Sequence, residues 1–172
     1  MVILDEVHKY GNRTTGITWM YDGSDTRYSA SKPVTEDNPP MYACPRYIFD
    51  NIVNKAALKT GVDYMDNFDV VDLIMERNKV IGVKGYYGGK LVDLYADLVV
   101  LSAGSHFLPS RKVGFYEEDP DYVFYGMRGY FENIGGMQDI EFWYPDDFAP
   151  GGYMWIFPED METMRGNVGI FL

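Results

Sequence analysis

The stretch 150–158, with the sequence PGGYMWIFP, constrains the fold more than any other part of the chain. Side chains alternate between the two faces of an extended strand, so Tyr153, Trp155 and Phe157 are predicted to share one face. Proline cannot donate to a strand ladder, so Pro158 is predicted to end this strand or to lie at a sheet edge. The three rings form either the core of an antiparallel sheet or a wall of aromatic surface.

Most of the remaining sequence has the pattern of short strands joined by tight turns, which is typical of an antiparallel fold. The segments 68–76, 80–87 and 91–95 are separated by polar or glycine turns and predict a three-stranded meander. A hairpin is predicted from 16–21 and 26–31, with a turn at 22–25. Further strands are predicted at 122–133, 140–144, 153–157 and 167–172, and the prolines at 39 and 40 are expected to break the chain before 41–44.

One clear helix and one apolar run complete the pattern. Apolar residues fall on one helical stripe from 46 to 60, and Gly61 stands where a helix-ending glycine is expected. Residues 98–101 form a continuous apolar run that is followed by small residues at 102–104, which predicts a buried strand of a parallel sheet over 98–101. The predicted fold class is therefore α+β: an antiparallel β-sheet, one helix, a three-stranded meander and part of an α/β domain.

Charge and composition argue against several classes of partner. The formal net charge of −11 argues against nucleic acid, because Lys and Arg supply most of the affinity for phosphates. His8 and His106 have no partners at metal-ligand spacing, so no metal site is predicted. The single cysteine, Cys44, excludes an internal disulfide and fits a reducing compartment. No apolar run approaches the roughly 20 residues that span a bilayer, which favours a cytoplasmic protein.

The order of these motifs resembles the geranylgeranyl reductase family of flavoproteins. This family is a branch of the p-hydroxybenzoate-hydroxylase-like FAD-dependent oxidoreductases, related to the electron-transfer-flavoprotein:quinone oxidoreductases. Its R-x-x-F-D motif begins here at Arg46, its A-D-x-V-V motif at Ala96 and its R-x-Y-F motif at Arg128. The PxxYxWxFP motif of the family matches 150–158, and the resemblance covers residues 41–172.

The resemblance implies a division of the chain into parts of two domains. Residues 1–40 would be a β-rich part of the substrate domain, 41–115 a partial FAD-binding domain, and 116–172 the antiparallel sheet of the substrate domain. The glycine loop and the later G-D segment of the family do not occur in this sequence. The chain is therefore interpreted as a middle fragment, with FAD expected in the complete protein but not retained by this chain alone.

The resemblance also implies site residues. Arg46 would lie on the flavin side, because a guanidinium pairs well with pyrophosphate oxygens; the alternative is a helix-start arginine in a surface ion pair. Ala103 and Gly104 occupy the A-D-G turn of the family near the flavin, with Ala103 in place of the aspartate. The wall of the substrate site would be formed by Tyr153, Trp155 and Phe157.

The implied function is reduction of carbon–carbon double bonds in an isoprenoid or other apolar substrate by an FAD-dependent oxidoreductase. The electron donor is not indicated. Because prenyl lipids reside in membranes, the resemblance also allows peripheral membrane contact. One alternative is a flavin-dependent electron-transfer (quinone) oxidoreductase or monooxygenase, because the same fold hosts these chemistries. The other alternative is a non-catalytic β-rich binding domain whose aromatic residues are only core.

Overall fold

A computed structural model describes residues 2–14, 16–21, 27–31, 35, 41–104, 108–117 and 119–172. The helices are α1 (Val2–Tyr10), α2 (Arg46–Leu58) and α3 (Leu108–Lys112), with a short 3-10 helix at Pro120–Tyr122. The strands are β1 (Asn12–Thr14), β2 (Gly16–Tyr21), β3 (Arg27–Ser31), β4 (Met41–Ala43), β5 (Asp69–Glu76), β6 (Lys79–Tyr87), β7 (Lys90–Tyr95), β8 (Gly126–Phe131), β9 (Ile140–Tyr144), β10 (Tyr153–Asp160) and β11 (Arg165–Phe171). These elements confirm the predicted α+β fold class with mostly antiparallel sheets.

The chain divides into two compact units. The first unit contains Met1–Val62 and Phe124–Leu172, and the second contains Asp63–Val123. Assignment of the segments 1–40, 41–115 and 116–172 to substrate and flavin domains stays a prediction.

A six-stranded sheet, here called the aromatic sheet, organises the first unit in the order β3-β2-β9-β10-β11-β8. Its strand pairs are antiparallel except for β2 and β9, which run parallel. The predicted hairpin of 16–21 and 26–31 is confirmed by the β2–β3 pair, whose predicted turn at 22–25 lies outside the described residues. Strand β10 is interior, with β9 on one side and β11 on the other. An interior strand is where a row of aromatic side chains gains neighbours on both sides.

Pro158 does not end the strand, because β10 continues past it to Asp160 with a register shift between the two residues; it lies at a local sheet edge, which was the other predicted position. Strand β9 pairs only with 154–156, so it has already ended at this point. The Pro158 carbonyl accepts a hydrogen bond from the Asn12 side chain at 2.9 Å. Since the N–H and C=O positions of a strand residue point to the same neighbour, the missing N–H of Pro158 faces away from β11 and removes no ladder bond.

The predicted helix over 46–60 is confirmed as α2, which ends two residues earlier at Leu58. Gly61 follows in the left-handed region at φ 84°, and its N–H donates to the Leu58 carbonyl at 3.2 Å. A second helix, α1, was not predicted and packs against α2. Its apolar residues Ile3, Val7 and Tyr10 recur at three- and four-residue spacing, which is the signal that could have identified it.

The second unit contains the predicted meander, confirmed as a three-stranded antiparallel sheet in the order β5-β6-β7. Two-residue turns at Arg77-Asn78 and Gly88-Gly89 adopt positive φ, as tight hairpins require. The predicted strand over 98–101 is wrong: these residues belong to no strand, and Leu98 and Val100 are 79% and 75% exposed. A buried parallel strand needs flanking strands and helices, and the described part of the chain supplies none for it.

Among the described residues, no helix has the length and apolar character needed to cross a bilayer.

Candidate functional site

A groove of about 360 Å³, here called the aromatic groove, opens on one face of the aromatic sheet. A cavity of this size falls in the range of about 300–1,000 Å³ that small-molecule sites occupy. Strands β4, β8, β10 and β11 and the start of α2 all contribute to it. The lining residues are Tyr42, Ala43, Cys44, Arg46, Arg128, Tyr153, Trp155, Phe157, Glu159 and Asn167.

The aromatic residues predicted to share a face do so, and all three line the groove. Ring centroids of Tyr153 and Trp155 are 5.9 Å apart, and those of Trp155 and Phe157 are 6.2 Å apart. Phe142 of β9 packs edge-on against Tyr153 at 5.8 Å and against Phe157 at 5.7 Å. Edge-on aromatic pairs add to the stability that burial alone gives. The three rings therefore form one continuous apolar wall that a neighbouring strand supports.

Strand β11 fixes the orientation of the Trp155 indole. The indole Nε1 donates to the Asn167 Oδ1 at 2.8 Å. Gly169 lies directly opposite Trp155 in the ladder, and a Cβ at that position would overlap the indole ring. The hydrogen bond to Asn167 and the space left by the missing side chain of Gly169 together fix the position of the indole ring. Sequence reasoning included Asn167 and Gly169 only in the predicted strand over 167–172 and assigned them no role.

Arg46 lies at the start of α2, where it both lines the groove and forms an ion pair. Its Nε donates to Asp50 Oδ1 at 3.0 Å, and its Nη2 donates to Oδ2 at 3.3 Å. The hydrogen bond and charge of Asp50 raise the pKa of Arg46 further above its ordinary value. The Arg46 side chain is 61% exposed, so its remaining N–H groups are available to an anion. The surface ion pair considered from the sequence is thus present, and it leaves the binding role open as a prediction.

Arg128 brings a second guanidinium to the same groove from β8. Its Nη1 donates to the Tyr130 hydroxyl at 2.7 Å. Two residues of the R-x-Y-F motif are therefore joined to each other, and the arginine head is held beside the groove. The sequence identified this motif only as part of the resemblance, without a site role.

Glu159 places a buried carboxyl in the groove, and sequence reasoning missed it. Its side chain is only 3% exposed, and the nearest cation in the described chain is the Arg165 Nε, 3.8 Å from Oε2. Burial raises the pKa of Glu159, and the charges of Arg165 and Arg128 offset this in part. The pKa of the nearby Cys44 thiol is also raised, by burial and by the Glu159 charge. No local sequence pattern distinguishes this glutamate from a surface one.

The predicted turn residues Ala103 and Gly104 lie in the second unit, on exposed chain. Gly104 has φ 59°, a left-handed conformation that favours glycine. Their predicted role beside a flavin stays a prediction.

A larger cavity of about 610 Å³ runs between α1 and α2. Aliphatic side chains and lysines line most of it, including Ile3, Ile52 and Lys55. It lacks the converging arginines, buried acid and aromatic row of the smaller groove. Because chemistry depends on convergent polar groups in an apolar site, the aromatic groove is the better candidate.

No protein-family model matches the sequence. The chain is 26% identical to digeranylgeranylglycerophospholipid reductase of Methanothrix thermoacetophila over 159 residues, which cover 87% of this chain and 38% of the relative. It is 27% identical to the reductase of the same name from Thermoplasma acidophilum over 153 residues, covering 88% of this chain and 38% of the relative. The chain thus spans less than two-fifths of the length of these relatives. These matches confirm the predicted resemblance to the geranylgeranyl reductase family.

Solved structures show the same fold. A geranylgeranyl bacteriochlorophyll reductase-like protein of Thermoplasma acidophilum superposes with a TM-score of 0.79 at 22% identity, covering 99% of this chain and 44% of that protein. The myxobacterial chondrochloren halogenase, described as a variant of FAD-dependent halogenases, gives a TM-score of 0.80 at 20% identity, covering 99% and 40%. The chain therefore has the fold of part of each of these two proteins.

Proposed function

We propose that this chain forms the substrate groove of an FAD-dependent oxidoreductase that reduces carbon–carbon double bonds of an isoprenoid chain. The observation that supports this most strongly is the aromatic groove itself, where Tyr153, Trp155 and Phe157 form one apolar wall beside Arg46 and Arg128. The homologues named digeranylgeranylglycerophospholipid reductases agree with an isoprenoid substrate.

The wall suits a branched hydrocarbon. Burial of apolar surface is worth about 25 cal/mol per Å², and three large rings in a row offer an extended apolar surface. The indole N–H of Trp155 already donates a hydrogen bond to Asn167, so it needs no acceptor from the ligand. An isoprenoid chain along the wall would lose no hydrogen bonds on binding.

The cofactor part of the proposal rests on fewer residues. Arg46 would hold a flavin pyrophosphate with the N–H groups that Asp50 does not use, and the turn of Ala103 and Gly104 would lie near the flavin. When bound and reduced, the flavin supplies a hydride. The sequence has no G-x-G-x-x-G loop, so we expect this chain alone to carry no stoichiometric FAD. An absorption spectrum of the purified chain with flavin near one per chain would contradict that expectation.

Residues 41–115 would belong to the flavin-binding part, and 1–40 with 116–172 to the substrate-binding part. A cytoplasmic location with peripheral membrane contact would give the groove access to prenyl lipids. The fold alone does not choose between reduction and the other chemistries it hosts, halogenation included. Sequence similarity to the named lipid reductases favours reduction.

The test is a turnover assay with the complete FAD-loaded protein, chemically reduced under argon. A geranylgeranyl lipid and a quinone are offered separately under argon, and a halide with an aromatic acceptor is offered in a third assay to which dioxygen is added, because halogenation needs an oxidant. We expect the lipid to reoxidise the flavin and to gain two hydrogens for each double bond reduced, measured by mass spectrometry. Reoxidation by the quinone alone, or halogenation of the acceptor, would assign the groove to another flavin chemistry.

A further inference from the structure

Glu159 has no role in substrate or cofactor binding as proposed above, yet it is the most unusual polar group in the groove. It lies two residues beyond Phe157 on β10, at the register shift between Pro158 and Asp160. Its side chain is 3% exposed and lines the groove with Trp155 and Phe157. Its Oε2 has no hydrogen-bond partner among the described residues. A buried carboxyl oxygen without a donor is costly when charged, so such a group favours its protonated form.

The surroundings of this carboxyl set its protonation. Burial raises the pKa of Glu159, while Arg165 on β11 and Arg128 on β8 favour the charged form. The pKa remains above its ordinary value, because the Arg165 contact is a distant 3.8 Å rather than a hydrogen bond. The other titratable groups that line the groove are Tyr42, Cys44, Arg46 and Tyr153.

We propose that Glu159 is the proton donor of the groove, delivering its carboxyl proton to the alkene carbon that does not receive the hydride. This inference rests on the proposed function and names a catalytic residue for it. Reduction of a double bond requires one hydride and one proton on adjacent carbons, and Glu159 is the only carboxyl among the residues that line the groove. Cys44 is a weaker acid, because its thiol pKa is raised by burial and by the Glu159 charge.

The step balances without any further reactant. The π bond of the alkene breaks, and two C–H bonds form. One carbon takes the hydride from the reduced flavin, which loses two electrons, and the other takes the proton from the Glu159 O–H. The carboxylate left behind is stabilised by Arg165 and Arg128, which lie near enough to favour its charge. Solvent then returns a proton to Glu159 before the next turnover.

The variant that tests this is Glu159→Gln, which keeps the shape of the side chain but cannot act as an acid. Its matched control is Glu141→Gln on β9. Glu141 is also buried, at 4% exposure, but it pairs opposite Ile156 and so lies on the other face of the sheet. It accepts a hydrogen bond from Trp143 Nε1 at 3.0 Å, which a glutamine oxygen can also accept.

Two readouts are needed. The first is the anaerobic reoxidation of the reduced, FAD-loaded protein by a geranylgeranyl lipid in a single turnover. General acid catalysis contributes about 10²–10⁴-fold, so we expect Glu159→Gln to slow reoxidation at least about 100-fold with little change in KM or flavin content. Glu141→Gln is expected to react at nearly the wild-type rate. The second readout is a pH titration of the infrared bands of protonated carboxyl groups. The component that is lost in Glu159→Gln is expected to persist to a higher pH than the band of an ordinary glutamate, and to be retained in Glu141→Gln.

Each outcome is decisive. A wild-type protein that reduces the lipid while Glu159→Gln does so equally fast overturns the proton donor and leaves the proposed function standing. A Glu159 band that titrates no higher than that of an ordinary glutamate overturns it as well, because the groove would then not favour the protonated form of this carboxyl. If the wild-type protein does not reduce the lipid at all, the proposed function fails and the proton donor fails with it.

Discussion

The aromatic sheet and the meander are both built from short antiparallel strands, but they use their side chains differently. In the aromatic sheet, Phe142, Tyr153 and Phe157 pack against one another from adjacent strands. In the meander, Leu91 and Tyr95 of the edge strand β7 are exposed. Each sheet has an interior strand with partners on both sides, β10 in the aromatic sheet and β6 in the meander, but only β10 carries a row of three aromatic side chains on one face.

The two regions also shift the pKa values of their carboxyl groups in opposite directions. Glu159 in the aromatic sheet is buried, and its pKa is raised chiefly because burial penalises its charge. Asp72 in the meander is exposed, and its pKa is lowered chiefly by a hydrogen bond from Lys112. A carboxyl with a raised pKa holds its proton more readily and can serve as an acid in catalysis. A carboxylate that is kept ionised by a lysine instead stabilises the fold.

The largest expected effect in this comparison comes from Gly152→Ala in the aromatic sheet. A Cβ at Gly152 would overlap the backbone carbonyl of Phe171, which cannot move without parting β10 from β11. We expect a loss of about 2–3 kcal/mol in the free energy of unfolding, measured by urea denaturation. The control is Gly135→Ala, where nothing lies near the added methyl, with an expected change within about 0.5 kcal/mol. Equal stabilities of the two variants would show that the β10–β11 contact is looser than described.

A smaller effect is expected from the corresponding change in the meander, Gly82→Ala. Its Cβ would overlap the backbone carbonyl of Leu94 on β7. Because β7 is an edge strand with exposed side chains, it can shift at a cost of about 1–2 kcal/mol. Hydrogen exchange at the amides of β6 and β7 measures this directly. A loss as large as that of Gly152→Ala would remove the contrast between the two regions.

The sequence predicted the local parts of both regions and missed the non-local ones. The turns at Arg77-Asn78 and Gly88-Gly89 specify the meander because each joins neighbouring segments. The parallel pairing of β2 with β9 joins residues more than a hundred positions apart, and no local pattern encodes it. Glu159 is buried only once that sheet has assembled, so its burial could not be predicted from the sequence. The strand predicted over 98–101 was wrong for the same reason, since an apolar run does not reveal whether its neighbours are present.

The opposite pKa shifts predict opposite pH dependences of stability. Glu159 binds its proton more tightly when folded, so wild type loses stability as pH rises from the ordinary glutamate pKa to the raised one. Glu159→Gln should therefore gain stability relative to wild type across that window and keep the gain above it. Asp72 has a lowered pKa, so its contribution is present above the ordinary aspartate pKa and is lost as pH falls through the folded value.

Thermal unfolding at a series of pH values checks both directions. Asp72→Asn should be less stable than wild type near neutral pH, with the difference vanishing in acid. For each variant, the difference in stability from wild type is plotted against pH. If this difference changed with pH in the same direction for Glu159→Gln and Asp72→Asn, the pKa values of the two carboxyl groups would not be shifted in opposite directions.

The smallest effects are expected at exposed ion pairs, in either region. Asp50→Asn removes the partner of Arg46 in the first unit, and Asp93→Asn removes the partner of Lys84 in the meander. Both pairs are exposed to solvent, so each change should cost about 0–1 kcal/mol, and less at high salt. Urea denaturation at low and high salt measures this. A loss well above that range at Asp50 would mean that the pair anchors the start of α2.

The central claim is that the aromatic wall binds substrate rather than serving only as core, and a pair of tryptophan variants tests it most directly. Trp155 lines the groove, whereas Trp143 pairs opposite Met154 and lies on the other face of the same sheet. Truncating either one to alanine should destabilise the fold, by up to about 3–5 kcal/mol for a fully packed ring.

The deciding measurement is kcat/KM for the geranylgeranyl lipid, expressed per folded, flavin-loaded molecule of each variant. Loss of the contact area of a large ring is worth about 1.5–3 kcal/mol, so Trp155→Ala should lower kcat/KM by roughly 10- to 100-fold. Trp143→Ala should leave it within about twofold of wild type. If both variants lose stability but keep wild-type kinetic constants, the aromatic row is structural core and the groove is not the substrate site.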